Sequence, residues 1–369
     1  MVDKNKLISY IQLINTPGIG PIGFKKAVAR YGSVDNALKN ISNKKELFPR
    51  RKAEEEVMIA EIKHAHIITL EDDIYPYNLK QVEDCPPVLY ALGNIDLLKS
   101  ENMLAVVGSR DASLSALKCA EVLSSKLAEN GITIVSGMAK GIDSSAHNGA
   151  LSANGKTIAV LGTGVDVIYP KEKEVLYKNL IKNGLILSEY PFKTQPQAPN
   201  FPRRNRIVSG LSKGVMVIEA SLKSGSIITA NMALEQGRDV YAVPGAPYDG
   251  RASGCNKLIK DGAILVDSVD DVLANFKFSS QTFISKKTKK EDKLDLFEYS
   301  LDNNKNNLDI AEQCDEHAKL LSLISASGED IDELIRASGL AADKVLTMIV
   351  ELELEDKVVR IPGNKVAKA

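Results

Sequence analysis

Three apolar runs in the middle of this chain each end in glycine with a small hydroxyl residue or a cation beside it. The turns are Val107-Gly108-Ser109-Arg110, Ser136-Gly137-Met138-Ala139-Lys140-Gly141-Ile142-Asp143 and Leu161-Gly162-Thr163-Gly164. An arginine cluster follows, Phe201-Pro202-Arg203-Arg204-Asn205-Arg206. After a strand, Gly108 would let a phosphate approach the backbone. Ser109 can donate from its hydroxyl, and Arg110 can contact phosphate oxygens with two prongs. Gly137, Lys140 and Gly141 repeat the design at the start of the next helix, where Asp143 is the expected N-cap. Ser224-Gly225-Ser226 with Thr229 repeats it once more. A single nucleotide needs one such turn, whereas a polynucleotide backbone can use them all. The row therefore points to nucleic acid, with Arg203, Arg204, Asn205 and Arg206 as a backbone track and Phe201 as a stacking face. Any one turn alone has a plain alternative, because α/β proteins need glycine turns structurally.

The elements that must position these residues alternate. Short apolar runs occur at Met103 to Val107, Ile132 to Val135, Thr157 to Leu161, Leu185 to Leu187, Val215 to Ile218, Val240 to Val243 and Ala263 to Val266. Helix-like segments such as Leu114 to Glu129 and Ile227 to Gln236 lie between several of them. This predicts an α/β fold, an extended Rossmann-like domain with a parallel-rich sheet and helices on both faces, ligands gathering at its C-terminal strand edge. Residues 1–70 predict an N-terminal helical domain, and 71–275 the Rossmann-like domain with 71–100 as a lead-in. Lys286-Lys287-Thr288-Lys289-Lys290 and Asp302-Asn303-Asn304-Lys305-Asn306-Asn307 cannot bury a core, so 276–315 is expected to be a flexible linker. Residues 316–369 predict three short helices and a hairpin turning at Gly363-Asn364, the outline of a winged helix.

Bulk properties bound the answer. The chain has 369 residues, 44% hydrophobic and 26% charged, with net charge −1. The near-neutral total counts mildly against nucleic acid, although a local cluster can still make a positive groove. Tryptophan is absent and aromatics are 5%, so binding should lean on phosphates more than on bases. Cys85, Cys119, Cys255 and Cys314 are too scattered for a disulfide framework or zinc ribbon, and His64, His66, His147 and His317 define no metal site. No apolar run is long enough to span a bilayer and no signal-like stretch opens the chain, so the expected location is the cytoplasm.

Three familiar motifs fail on context. Gly18-Ile19-Gly20-Pro21-Ile22-Gly23 spells the dinucleotide fingerprint but follows a helix instead of a strand; it suits a helix-hairpin-helix turn or a plain structural turn equally. Ala150 to Thr157 resembles a relaxed P-loop but runs from helix to strand, with Gly155 as the expected helix C-cap. Gly210-Leu211-Ser212-Lys213-Gly214 resembles a nucleophile elbow, yet its strand follows the serine.

At these residues the chain resembles the bacterial DNA processing protein A family (DprA, also called Smf). The resemblance spans nearly the whole chain. It rests on Val107 to Arg110, Ser136 to Asp143 with Ala146-His147, Gly162-Thr163-Gly164-Val165-Asp166-Val167-Ile168-Tyr169-Pro170 and Ser188-Glu189-Tyr190-Pro191. It continues through Phe201 to Ile207, Val217-Ile218-Glu219-Ala220, Ser224 to Ala230, Ala242-Val243-Pro244-Gly245 and Ser253-Gly254-Cys255-Asn256. Where the family often continues toward a Tyr-Gly pair, this chain has Ser113-Leu114-Ser115-Ala116. The resemblance implies a single-stranded-DNA-binding protein that forms homodimers, protects incoming DNA and loads a RecA-type recombinase during natural transformation, with no catalytic residues and no cofactor. It also implies a phosphate pocket of Gly108, Ser109, Arg110 and Lys140 lined by Arg203, Arg204 and Arg206, a helix-hairpin-helix or SAM-like N-terminal domain and a C-terminal winged helix. Two rivals stand beside it. One is a phosphoribohydrolase-like nucleotide enzyme, for which only Glu189 and Glu219 lie near strand ends, without clear partners. The other is an adaptor working through an acidic winged helix.

Overall fold

The computed structural model describes residues 3–43, 46–279 and 311–369. The linker expected over 276–315 falls mostly on 280–310, outside the described residues. The chain divides into two compact units, Met1–Lys277 and Phe278–Ala369.

The first unit opens with four helices, α1 (Lys4–Ile14), α2 (Pro21–Tyr31), α3 (Val34–Ser42) and α4 (Arg50–Ile62). Between α1 and α2, Gly18 and Gly20 lie in a turn, while the third fingerprint glycine, Gly23, is inside α2. The turn's Thr16 hydroxyl donates to Gln12 O and accepts from Phe48 N–H, which ties the turn to the chain before α4. Then come β1 (His66–Thr69), α5 (Tyr77–Lys80), β2 (Val88–Gly93), β3 (Met103–Gly108), α6 (Leu114–Glu129), β4 (Thr133–Ser136), α7 (Ile142–Ser152), β5 (Thr157–Val160), α8 (Glu174–Asn183) and β6 (Leu185–Ser188). The unit closes with α9 (Asn200–Leu211), β7 (Gly214–Ile218), α10 (Gly225–Glu235), β8 (Asp239–Ala242), α11 (Ser253–Lys260), β9 (Ile264–Leu265) and α12 (Val269–Asn275).

Nine strands form one sheet in the order β1-β2-β6-β5-β4-β3-β7-β8-β9. From β6 to β9 every pairing is parallel, and β2 and β1 add antiparallel at one edge. Strand order reverses at β3, which pairs β4 on one side and β7 on the other. That is the topological switch point, where such sheets open a crevice beyond the strand ends. All seven strands expected from apolar runs are present. Sequence reasoning missed β1, at the end of the segment expected to be helical, and β2 in the lead-in, though Val88 to Leu92 between Pro87 and Gly93 is itself a bounded apolar run.

Both sheet faces are covered, which is why the strands read as continuous apolar runs. Successive residues alternate between two cores. Leu89, Ala91, Ile158, Val160, Leu185 and Leu187 enter one. Val88, Tyr90, Ala159, Leu161 and Ile186 enter the other, which they share with Ile11 and Leu13 of α1, Phe24 of α2 and Val57 of α4. The N-terminal helices therefore bury their apolar stripes on the sheet.

The polar core is selective. His147 on α7 is fully buried. Thr157 Oγ1 donates to Ile134 O at 3.0 Å, so across its 2.7 Å contact with His147 Nδ1 the ring is the donor. Burial, with the Arg204 charge adding to it, pushes the His147 pKa down to about 3. The folded state thus holds a neutral ring, while an unfolded histidine protonates near pH ~6.5. Stability from this group is complete above that pH and is lost as pH falls toward 3, by about 1.4 kcal/mol per unit along the slope. In urea denaturation the stability gap between the protein and His147→Asn should therefore narrow from pH 7 to pH 4. A constant gap would remove His147 from the acid response.

The second unit contains α13 (Ala311–Leu323), β10 (Glu329–Asp330), α14 (Ile331–Ser338), α15 (Ala342–Leu354), β11 (Val358–Ile361) and β12 (Lys365–Lys368). Its three strands order as β10-β12-β11 around a core of Leu320, Leu334, Ile349 and Val366. The hairpin turns through the three residues Pro362, Gly363 and Asn364 between the paired Ile361 and Lys365, with Gly363 and Asn364 both at positive φ.

Candidate nucleic-acid interface

Four elements converge at the C-terminal sheet edge. The loops after β3, β4 and β7 end there, and α9 packs across β3, β4 and β5. The site is decided by which α9 side chains turn inward. Arg204, Ile207, Val208 and Leu211 share one helix face, and all four are buried. That spacing is a signal in the sequence that Arg204 belongs to the core.

The structure places the arginines unequally. Arg204 is 4% exposed and donates to Gly137 O and Val160 O. Burial lowers its pKa, opposed by the nearby charge of Asp143. Asp143 is itself buried, and burial raises its carboxyl against the opposing Arg204 charge. Arg206 is 9% exposed and pairs with Asp84 at 3.1 Å and Glu189 at 2.5 Å. Burial raises Glu189, with Arg206 opposing. Only Arg203 of the three faces solvent. The arginine track therefore reduces to Arg203, because the other two guanidinium groups are already held by protein oxygens.

Several glycines also serve the protein. A Cβ on Gly108 would overlap Ile218 O and the Ile142 side chain. One on Gly137 would overlap the Arg204 guanidinium, and one on Gly141 would overlap Ser109 O. These positions make room for packing; Gly225, with open space around it, is the exception within the candidate set. Asp143 is not the N-cap of α7, which is Gly141. Its carboxylate instead accepts from Gly137 N–H at 3.1 Å and Ala139 N–H at 3.4 Å, so the Gly137 donor is already engaged. Asn154, at positive φ, turns the end of α7, and Gly155 N–H returns to Ala150 O. Ser212 is fully buried and donates to Val208 O, unlike an exposed nucleophile.

What faces outward is a smaller, mixed surface. Phe201 lies against Gly162, where a Cβ would come to 3.0 Å from the ring. The Arg110 guanidinium stands 5.6 Å from the Phe201 centroid, and the Tyr169 ring 5.4 Å away, tilted by 40°. Tyr169 is 42% exposed. Sequence reasoning placed it only within the family motif and gave it no role. Lys140 pairs with Asp111 at 3.0 Å, both well exposed, a contact of small energy that a phosphate can replace. Ser109 Oγ accepts from Asp111 N–H at 3.2 Å. Ser224 caps α10 by accepting from Ser226 N–H, and Asn205 reaches toward Gly225 O at 3.4 Å.

The two strand-end carboxylates both have partners, contrary to the expectation from sequence. Glu189 holds Arg206. Glu219 accepts from Ser113 N–H at 2.8 Å and from the Ser113 hydroxyl. Among the described residues no group of three or more His, Cys, Asp or Glu side chains could hold a metal ion, and no helix is long and apolar enough to cross a membrane.

Fold and site define a class: an extended Rossmann-like domain whose strand-end surface offers cations and aromatic rings, followed by a winged helix. The family model for DNA recombination-mediator protein A matches residues 66–277, and that for the DprA winged helix domain matches 307–364. The chain belongs to the DNA processing protein A (DprA/Smf) family. It is 51% identical over 207 residues to DNA processing protein DprA of Streptococcus pneumoniae, covering 56% of this chain and 73% of that one. It is 37% identical over 323 residues to protein Smf of Escherichia coli, covering 86% and 82%. The crystal structure of the Streptococcus pneumoniae protein superposes with a TM-score of 0.65 at 38% identity over 76% of this chain and 100% of that one. DNA processing protein A from Helicobacter pylori, whose structure describes a single-stranded DNA binding mode, gives 0.52 at 31% identity over 58% and 99%.

Proposed function

We propose that this chain binds single-stranded DNA along the strand-end rim, without catalysis, protects incoming DNA and loads a RecA-type recombinase onto it during natural transformation. The observation that carries the reading is the rim cluster of the exposed Arg110 and Tyr169 around the half-buried Phe201 ring. A duplex hides its base faces, whereas a single strand can offer both a base to the rings and phosphates to the cations. The Helicobacter pylori relative supports it through its single-stranded ligand, and the family description through recombination mediation. A homodimer working in the cytoplasm belongs to the same proposal by family resemblance. The helices before about residue 70 and the winged helix from about 316 are accessory to the sheet that carries the rim. On the winged helix, Leu346, Val350 and Leu354 stand exposed at four-residue spacing along α15 beside Glu351 and Glu353. That face suits a protein contact better than phosphates. A nucleotide-processing enzyme is less supported, since both strand-end carboxylates are engaged by the protein's own groups.

The test is fluorescence anisotropy with a labelled oligothymidine and a matched duplex across a salt series. Arg110, Lys140 and Arg203 could neutralise about three phosphates, and each contributes about −0.7 to the slope of log K against log salt. Single-strand affinity should then fall roughly 20-fold between ~50 and ~200 mM salt, with duplex weaker throughout. No single-strand binding at low salt would sink the proposal.

A further inference from the structure

The switch-point crevice between the ends of β3 and β7 is where a doubly wound sheet ordinarily takes a nucleotide, its phosphate at the following helix N-terminus. Here the following helix is α6, 16 residues long and capped by Ser113. Its N-terminus already holds an anion. Glu219 Oε1 accepts from Ser113 N–H at 2.8 Å, and Oε2 accepts from the Ser113 hydroxyl. Ser113 is 1% exposed, so water competes little for these bonds. Two more links hold the end of β3: Ser109 N–H donates to Glu219 O at 2.8 Å across the gap to the end of β7, and Ser226 Oγ of α10 donates to Gly108 O at 2.7 Å. To reach this position Glu219 adopts φ of 46°, a left-handed conformation that a glutamate seldom takes. A local conformational cost at a strand end is sustained where the surrounding contacts over-determine it.

We infer that Glu219 is a specificity-determining residue: its carboxylate occupies the place of a nucleotide phosphate at the α6 N-terminus and thereby excludes free nucleotides and inorganic phosphate. What remains accessible is the outer rim with Arg110, Lys140 and Arg203, which a polymer can cross. The inference deepens the single-strand reading and depends on it only for this consequence. DNA binding by the intact protein is then indifferent to nucleotides at cellular concentrations.

Two shortened variants test it, Glu219→Gly and Glu219→Asn. Both residues tolerate positive φ, and neither reaches Ser113 with a carboxylate. Glu219→Gln is the control that keeps the side-chain length and an acceptor. Thermal unfolding is followed in sodium formate, sodium phosphate and sodium chloride at equal ionic strength. The shortened variants should melt lower than the parent and recover part of the loss, saturably, in formate or phosphate but not in chloride. Parent and Glu219→Gln should show no such anion-specific rise. If Glu219→Gly fails to fold, Glu219→Asn carries the test. In a second arm, millimolar AMP should displace labelled oligothymidine from the shortened variants and not from the parent, chloride matching the ionic strength. Equal responses to all three anions in both shortened variants, or displacement from the parent by AMP, would overturn the inference. If the parent binds no oligothymidine, the rim reading fails, while the melting arm still decides the role of Glu219.

Discussion

Replacing Arg204 with alanine should cost about 3–5 kcal/mol of stability in urea denaturation, a large share of the ~5–15 kcal/mol typical of a folded domain. The guanidinium is buried and donates to Gly137 O and Val160 O. Its charge also offsets the buried Asp143 carboxylate. Truncation leaves two carbonyls without a donor, a carboxylate without a counter-charge, and a cavity beside Gly137. Arg203 lies one residue away in the same helix turn and faces water. Its alanine variant should change stability by no more than about 0.5 kcal/mol while weakening DNA binding. The pair therefore separates a structural arginine from a binding one. If Arg204→Ala is as stable as the parent yet binds DNA poorly, its guanidinium serves the ligand in solution and the inward placement is wrong.

The second large effect belongs to the rim cluster. Arg110→Ala should weaken oligothymidine binding by about 1.5–3 kcal/mol, the range for a charge-assisted hydrogen bond. Phe201→Ala should weaken it by about 1–3 kcal/mol, the range for one stacked base. Arg110 stands over the Phe201 ring, so each side chain helps to position the other. The double variant should consequently lose less than the sum of the two single losses. Melting temperatures should stay close to the parent's, because Arg110 is exposed and Phe201 only partly buried. Anisotropy at fixed low salt measures all three variants. Undiminished affinity in the double variant would move the binding surface elsewhere on the molecule.

Much of the fold is legible in the sequence. Parallel strands covered on both faces must be apolar at every position, so seven of them stood out as runs. β1 and β2 did not, since His66-Ile67-Ile68-Thr69 is short and β2 lies in a segment otherwise rich in turns. The site was legible as a region and less so as a set of roles. An arginine is written the same way whether it meets a phosphate or a carbonyl. The distinction lay in its spacing to Ile207, Val208 and Leu211. A glycine after a strand likewise signals close approach without saying what approaches. At Gly108, Gly137 and Gly141 it is the protein's own Ile218, Arg204 and Ser109. The partners of Glu189 and Glu219 depend on loops brought together only by the sheet, beyond the reach of local pattern.

The reversal of strand order at β3 also has a meaning in time. Leu104 pairs with Ile134 on one side soon after synthesis, but with Gly214 on the other, about 110 residues later. At roughly 5–20 residues per second, β3 waits on the order of 5–20 s on the ribosome for its second neighbour. Every strand of the half-sheet from β3 to β6 is synthesised before β7, while the other flank of β3 still lacks its neighbour. The seam between β3 and β7 joins the earlier half of the sheet to the later one, and Glu219 is the stitch that follows the arriving strand across it.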